Sequence, residues 1–221
     1  MDVLPVGAAV DPAEMGMPNL GELSGRYVTL RSLHPQRDAQ TLYPLTHGDA
    51  APLWTYMPYG PFASVDSMRD WMETCAVSAD PLYYAVRTVA EEAPVGMTSL
   101  LNIVPDHRRV EIGHVWYVPH AQRTRANTEA AYLLLEAVFA AGYRRVEWKC
   151  DALNARSRAA ALRLGFQFEG VFRQHIIVKG RNRDTAWFSM IDGEWSLNKR
   201  RLAQWLYANQ DGALSLSALN A

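Results

Sequence analysis

The chain has 221 residues, 49% of them hydrophobic, which is enough for one large domain with a real core. Its 22 Lys and Arg against 23 Asp and Glu are interspersed, which excludes a global pull toward nucleic acid or an anionic membrane and leaves any anion site local. Two cysteines, Cys75 and Cys150, without CxxC or Cys/His spacing, exclude a disulfide framework and a zinc site, so no metal is expected and a reducing cytoplasm fits best.

Residues 1–22 are rich in Gly and Pro and carry no stable periodicity, so they are expected as an arm, loose or draped over the body. The opening MDVLPVGAAVDP lacks a basic n-region and a long apolar core and is expected to be neither signal peptide nor membrane anchor. A single domain is expected over 23–209, with a polar tail at 210–221. RYVTLRSL alternates Tyr27, Thr29 and Arg31 against Val28 and Leu30, as a first strand near a sheet edge does. Residues 34–45 form a short helix with Pro35 at a permitted first-turn position.

The stretch LWTYMPYGPF gathers Trp54, Tyr56, Met57, Tyr59 and Phe62 around Pro58, Gly60 and Pro61, which block regular structure. Such an aromatic, proline-stiffened loop either lines a pocket or covers one end of the core. Residues 64–78 are a helix capped by Ser64, with Met68, Trp71, Met72 and Cys75 as its buried stripe. PLYYAVRTV and APVGMTSLLNIV, joined by the acidic turn AEEA, read as an antiparallel hairpin.

The organising stretch runs from Val110 to Asp151 and reads strand, polar loop, helix, strand. In RVEIGHVWYVP, alternation puts Val110, Ile112, His114 and Trp116 on one face and Glu111, Gly113, Val115 and Tyr117 on the other. Ala131, Leu134, Leu135 and Val138 fall at helical spacing, with Glu129 and Glu136 expected in solvent. The closing strand places Val146, Trp148 and Cys150 opposite Glu147, Lys149 and Asp151. The first turn of the helix leaves N–H groups and a partial positive charge that attract phosphate. Here Asn127 or Thr128 supplies the cap, and Arg123 and Arg125 add formal charge, so a diphosphate could sit there.

Beyond Asp151, ALNARSRAAALRLGF is a helix closed by Gly165, with Asn154 before it and Ser157 in its first turn. FQFEGVFRQHIIV and DTAWFSMI form a long hairpin around KGRNR. GEWSLNKRRLAQWLYA follows as a helix with Trp195, Leu202 and Trp205 on one stripe.

Taken in order, EIGHVWYVP, QRTRANTEA, NARSRAAALRLGF and FEGVFRQHIIVKGRNRD before AWFSMIDGEW resemble the GCN5-related N-acetyltransferases (GNAT), most closely their RimJ/RimL-like branch. The resemblance implies a mixed α/β fold: a central, mostly antiparallel sheet with one splayed parallel pair and flanking helices. It implies acetyl-CoA as cosubstrate and a primary amine as acceptor, either a protein N-terminus or a small molecule. It also implies that the backbone of Val115, Trp116 and Tyr117 binds the acetyl and pantetheine groups, and that Gln122, Arg123, Thr124, Arg125, Ala126, Asn127 and Thr128 hold the diphosphate. Asn154 and Ser157 would face the pantetheine arm and departing thiol, and Trp54, Tyr56, Met57 and Tyr59 would line the acceptor site.

Two departures from the family pattern stand out. The phosphate loop keeps Gln122 but has Arg125 where the family has glycine and Asn127 at its small position; either the loop still offers its N–H groups, with Arg125 pointing away or adding an ion pair, or affinity for CoA is reduced, and the first is expected. Many relatives carry a tyrosine acid at the position of Ala161, so the proton for the thiolate falls to Ser157. Glu111 is the first candidate for the base that deprotonates the amine, and His114 is its competitor. The two face opposite sides of a regular strand, and both enter one site only if Gly113 marks a bulge. A CoA-binding module of the same fold without turnover is the alternative function. The C-terminal strands and Trp-bearing helix offer a homodimer surface.

Overall fold

Two short strands, β1 (Leu23–Ser24) and β2 (Val28–Ser32), begin the fold in the computed structural model, which describes residues 4–11, 15–208 and 215–219. Helix α1 (Pro35–Thr46) starts with proline in its first turn, and a 3-10 segment (Gly48–Trp54) leads to the aromatic loop. Helix α2 (Val65–Ala76) is entered through a reciprocal capping box between Ser64 and Ser67, and its Met68, Met72 and Cys75 are buried. Strands β3 (Leu82–Thr88), β4 (Pro94–Val104) and β5 (Arg109–Tyr117) follow. The crossover helix α3 (Arg125–Ala140) leads to β6 (Arg145–Asp151).

Helix α4 (Ala155–Leu164) ends at Gly165, whose φ of +96° only glycine adopts cheaply. Strands β7 (Gln167–Val178) and β8 (Arg181–Ile191) meet at a two-residue turn, Lys179 and Gly180, both at positive φ. The turn is therefore tighter than the five residues KGRNR expected for it, because Arg181 and Asn182 already pair in β8. Helix α5 (Asp192–Ala203) continues as one π-helical turn over Gln204–Ala208.

The expected tail falls partly outside the described residues, at 209–214 and 220–221. Between these, α6 (Leu216–Leu219) packs on α4 and α5 with Leu216 buried. Of the expected arm, residues 1–3 and 12–14 lie outside the described residues. Where the arm is described, the Tyr143 hydroxyl donates to the Gly16 carbonyl, and Arg108 donates to that of Asp11.

All eight strands form one sheet in the order β1-β2-β3-β4-β5-β6-β8-β7, antiparallel throughout except for β5 beside β6. The register divides the two faces. Leu30, Val86, Leu100, Ile112, Val146 and Phe188 share the face against α3. The opposite face is covered over β3 and β4 by α1 and α2, and α1 is tied to β3 by the buried ion pair Arg87–Asp38. No helix among the described residues is long and apolar enough to cross a membrane.

Glu129 corrects one expectation. Far from facing solvent, it is fully buried on α3, and its carboxylate accepts from the backbone N–H groups of Arg26, Tyr27 and Val28. A β-carbon on Gly25 would meet this carboxylate at 2.4 Å, so the strand entry is shaped around the glutamate. Glu136 does stay on the surface, paired with Lys199.

Candidate active site

Strands β5 and β6 pair only at Arg109–Arg145, Val110–Val146 and Glu111–Glu147. Beyond these pairs the strands diverge, and the edge of β5 from Ile112 to Tyr117 is released from β6. On its other side β5 stays bound to β4, but with an irregularity. Met97 lies opposite Trp116 and Ser99 opposite Gly113, so His114 and Val115 together face Thr98 alone. This is a two-against-one bulge, and its first residue, His114, has the left-handed φ of +52° that the G1 type of bulge shows.

The bulge overturns the simple alternation. Ile112 stays on the α3 face, but His114 and Trp116 are carried to the other face, where they meet Tyr83 and Trp54 respectively. That is the face of Glu111. The two candidate bases therefore share one side of the sheet.

Glu111 is 2% exposed, and its Oε2 accepts from Lys149 Nζ at 2.9 Å and from Asn102 Nδ2 at 2.7 Å. Burial raises its pKa, while the Lys149 ammonium and the two hydrogen bonds pull it back. Burial, helped by Lys149, pushes the His114 imidazole down to about 4. Its Nδ1 lies 3.3 Å from the Tyr59 hydroxyl and its Nε2 3.4 Å from that of Tyr83. Burial raises the pKa of both tyrosines, so they remain protonated hydrogen-bonding partners.

The aromatic loop forms the roof. Tyr59 stacks on His114 with centroids 5.5 Å apart, and Trp54 packs on Tyr59, Phe62 and Trp116. Met57 is partly buried against the core. The Tyr56 hydroxyl donates to the Leu153 carbonyl, and Lys179 Nζ at the β7-β8 turn donates to the Trp54 carbonyl at 2.8 Å. The loop thus reaches over the strand gap to both elements beyond it. Beside the gap on the same face lies a cleft of about 270 Å³, lined by Arg109, Arg145, Glu147, Glu169, Gly170, Phe172 and Trp187.

At the end of β5, Gln122 Nε2 donates to the Tyr117 carbonyl and folds the loop back on its strand. Helix α3 starts three residues earlier than expected. Its cap is Thr124, whose hydroxyl accepts from Ala126 N–H, and this places Asn127 and Thr128 inside the first turn instead of at the cap. Arg123, at φ +60°, is exposed.

Arg125 points away from the helix mouth. Its guanidinium donates to the carbonyls of Trp205 and Leu206 and stacks on the rings of Tyr27 and Trp205. The helix start keeps the first-turn N–H groups that suit a phosphate, with Arg125 serving the fold behind it.

On the α3 side of the gap, Asn154 caps α4 by accepting from Ser157 N–H. The Ser157 hydroxyl oxygen accepts from Trp148 Nε1 at 3.0 Å, which leaves its hydrogen to donate elsewhere. It also touches the Cys150 thiol. Trp148 and Lys149 are neighbours on β6 with opposite facing, so Ser157 and Glu111 flank the gap from its two sides.

Sequence reading missed Lys149, Asn102, Tyr83, Trp187 and Lys179. Only the alternation of Glu147 and Lys149 hinted at the first of these, because the parallel register decides what Lys149 meets.

Comparison with known proteins adds a family. The model described as "Acetyltransferase (GNAT) domain" matches residues 28–167. A crystal structure of a GCN5-related N-acetyltransferase from Brucella melitensis is similar at a TM-score of 0.88 and 37% identity, covering 94% of this chain and 97% of that one. A GNAT-family crystal structure from Chromobacterium violaceum ATCC 12472 reaches 0.81 at 40% identity, over 89% and 99% of the two chains. The Bacillus subtilis (strain 168) protein named "Putative ribosomal N-acetyltransferase YdaF" is 29% identical over 185 residues, 78% of this chain and 96% of its own.

Proposed function

This chain belongs to the GNAT acetyltransferase family, and from that premise we propose that it moves an acetyl group from acetyl-CoA to a primary amine by direct attack. The observation that carries the proposal is the released edge of β5, with Glu111 on one side of the gap and Ser157 on the other. The edge of Val115 to Tyr117 offers backbone groups to the pantetheine amides, and the first turn of α3, from Thr124 to Thr128 beside Gln122, suits the diphosphate. Bound acetyl-CoA supplies an activated acetyl thioester.

The residues of the chain do the rest. An α-amino group titrates near ~8, so one proton must leave it before it can attack. Glu111 is the base: its carboxylate is buried and its pKa raised. His114 is too weak a base near 4 and is held between two tyrosine hydroxyls. N–H groups at the bulge polarise the acetyl carbonyl. The Ser157 hydroxyl donates to the departing sulfur and takes in exchange the second proton that the attacking nitrogen sheds, so the thiolate leaves as a thiol. Trp54, Tyr56, Met57 and Tyr59 shape the acceptor entrance from above. The buried free thiols of Cys75 and Cys150 suit a reducing cytoplasm as the compartment.

The test is free-thiol release from acetyl-CoA with a panel of peptides and small amines. Peptides with ribosomal-protein N-termini join the panel because of the likeness to YdaF. Turnover is expected to fall about 100-fold in Glu111→Gln with CoA affinity kept, and about tenfold or more in Ser157→Ala. CoA binding without thiol release for any acceptor would instead support a non-catalytic CoA-binding module.

A further inference from the structure

Lys149 sits two residues past the last β5-β6 pair and reaches across the gap where the strands part. Its ammonium lies 2.9 Å from Glu111 Oε2 and 5.2 Å from the ring centre of Trp187, its register partner on β8. Asn102 Nδ2 donates to the same Oε2. Oε1 is turned the other way, toward Gly113, where an added β-carbon would stand 3.3 Å from it. The two carboxylate oxygens are thus distinguished: one is held by donors and the other faces the bulge.

Charge reinforces the geometry. A carboxylate 2% exposed takes up a proton unless a partner compensates its charge. Arg109 and Arg145, the cations nearest in the strand register, bind Glu147, and Arg145 also binds Glu169. Glu147 itself stands next to Glu111 across the register and repels it. Other titratable groups on this face are engaged elsewhere: His114 on β5 lies between the hydroxyls of Tyr59 and Tyr83, Tyr83 also meets Cys75 of α2, and Arg87 on β3 binds Asp38 of α1. The compensating charge on Glu111 comes from Lys149.

We propose that Lys149 is a positioning residue for the proton transfer, pinning Glu111 through Oε2 in its charged form and leaving Oε1 to receive the amine proton. In this step the N–H bond of the acceptor breaks, an O–H bond forms on Oε1, and Lys149 keeps its own protons. The inference rests on Glu111 being the base. Trp187 supports Lys149 from behind with its ring face, and Asn102 fixes the angle of the carboxylate without adding charge.

The experiment is the pH dependence of kcat/KM for one acceptor with the wild type, Lys149→Met, Lys149→Gln, Lys149→Arg and Glu111→Gln. Ionisation of the free acceptor is common to all five, so any difference belongs to the protein. Loss of the ion pair raises the pKa of the base, and the acidic limb is expected to move up by about one to two pH units in Lys149→Met and Lys149→Gln. Lys149→Arg is expected to hold the limb near its wild-type position. Lys149→Gln keeps a donor for Oε2, and so remains informative if Lys149→Met leaves the carboxylate too poorly paired to fold. An unshifted limb in the neutral variants, with only the thermal midpoint lowered, would make Lys149 purely structural and overturn the proposal. If Glu111→Gln keeps the wild-type rate and profile, the base reading itself fails. If it removes the limb while the Lys149 variants do not move it, only the role of Lys149 falls.

Discussion

The two candidate bases differ in the side chains that hold them. His114 is held neutral by burial, and both its ring nitrogens lie against tyrosine hydroxyls. Its folded pKa of about 4 lies below the ordinary 6.5, so between these values the unfolded chain binds the extra proton and the folded chain does not. Stability therefore falls as pH drops from 6.5 toward 4 and is recovered above 6.5. In thermal melts across that window, His114→Phe is expected to show a shallower loss than wild type; equal slopes would mean that His114 protonates freely in the folded chain. From the sequence, the positions of Glu111 and His114 were legible and their common face was not. A bulge is a mismatch between two strands, and only one of them is visible in RVEIGHVWYVP.

Helix α3 opens differently from the family pattern, and the reason lies in the residue at position 125. Glycine at position 125 would let the backbone approach a diphosphate. With arginine there, the helix opens at a Thr124 cap, and the long side chain leaves the mouth to bind the carbonyls of Trp205 and Leu206. Four residues on, Glu129 gathers the backbone of Arg26 to Val28, while the Tyr27 hydroxyl donates to the Leu206 carbonyl. The start of α3, the strand entry and the C-terminal turn are thereby one joint. Arg125→Ala is expected to lower the thermal midpoint and weaken CoA binding by about tenfold or less, ~1.4 kcal/mol. Calorimetric titration checks this, and a loss above a hundredfold would place the guanidinium on the phosphates instead.

Across the whole molecule, the sheet is two paired halves hinged at β5 and β6, and loops bridge the opening above the hinge. The aromatic loop leaves the α1-α2 layer, and Lys179 at the tip of the β7-β8 hairpin ties it down from the other half. Lys179→Met is expected to quicken amide hydrogen exchange over residues 54–62 without changing the exchange of β3 and β4. Unchanged protection of the loop would show that its own aromatic packing suffices.

What the sequence determined by itself was the order of elements from β2 to α5, the crossover around α3, the Ser64 and Gly165 helix ends, and the residue types flanking the gap, whereas the two-residue β1 and the short α6 were too brief to show a period. The legible features all follow from periodicity and local backbone preference, which act over a few residues. Tertiary structure alone decided the partners: Lys149 on Glu111, Glu129 under β2, Arg125 on the C-terminal turn, and His114 turned to the face of Glu111. Each of these depends on a register or approach between segments distant in the chain. Burial then sets the charge and orientation of the groups they bring together.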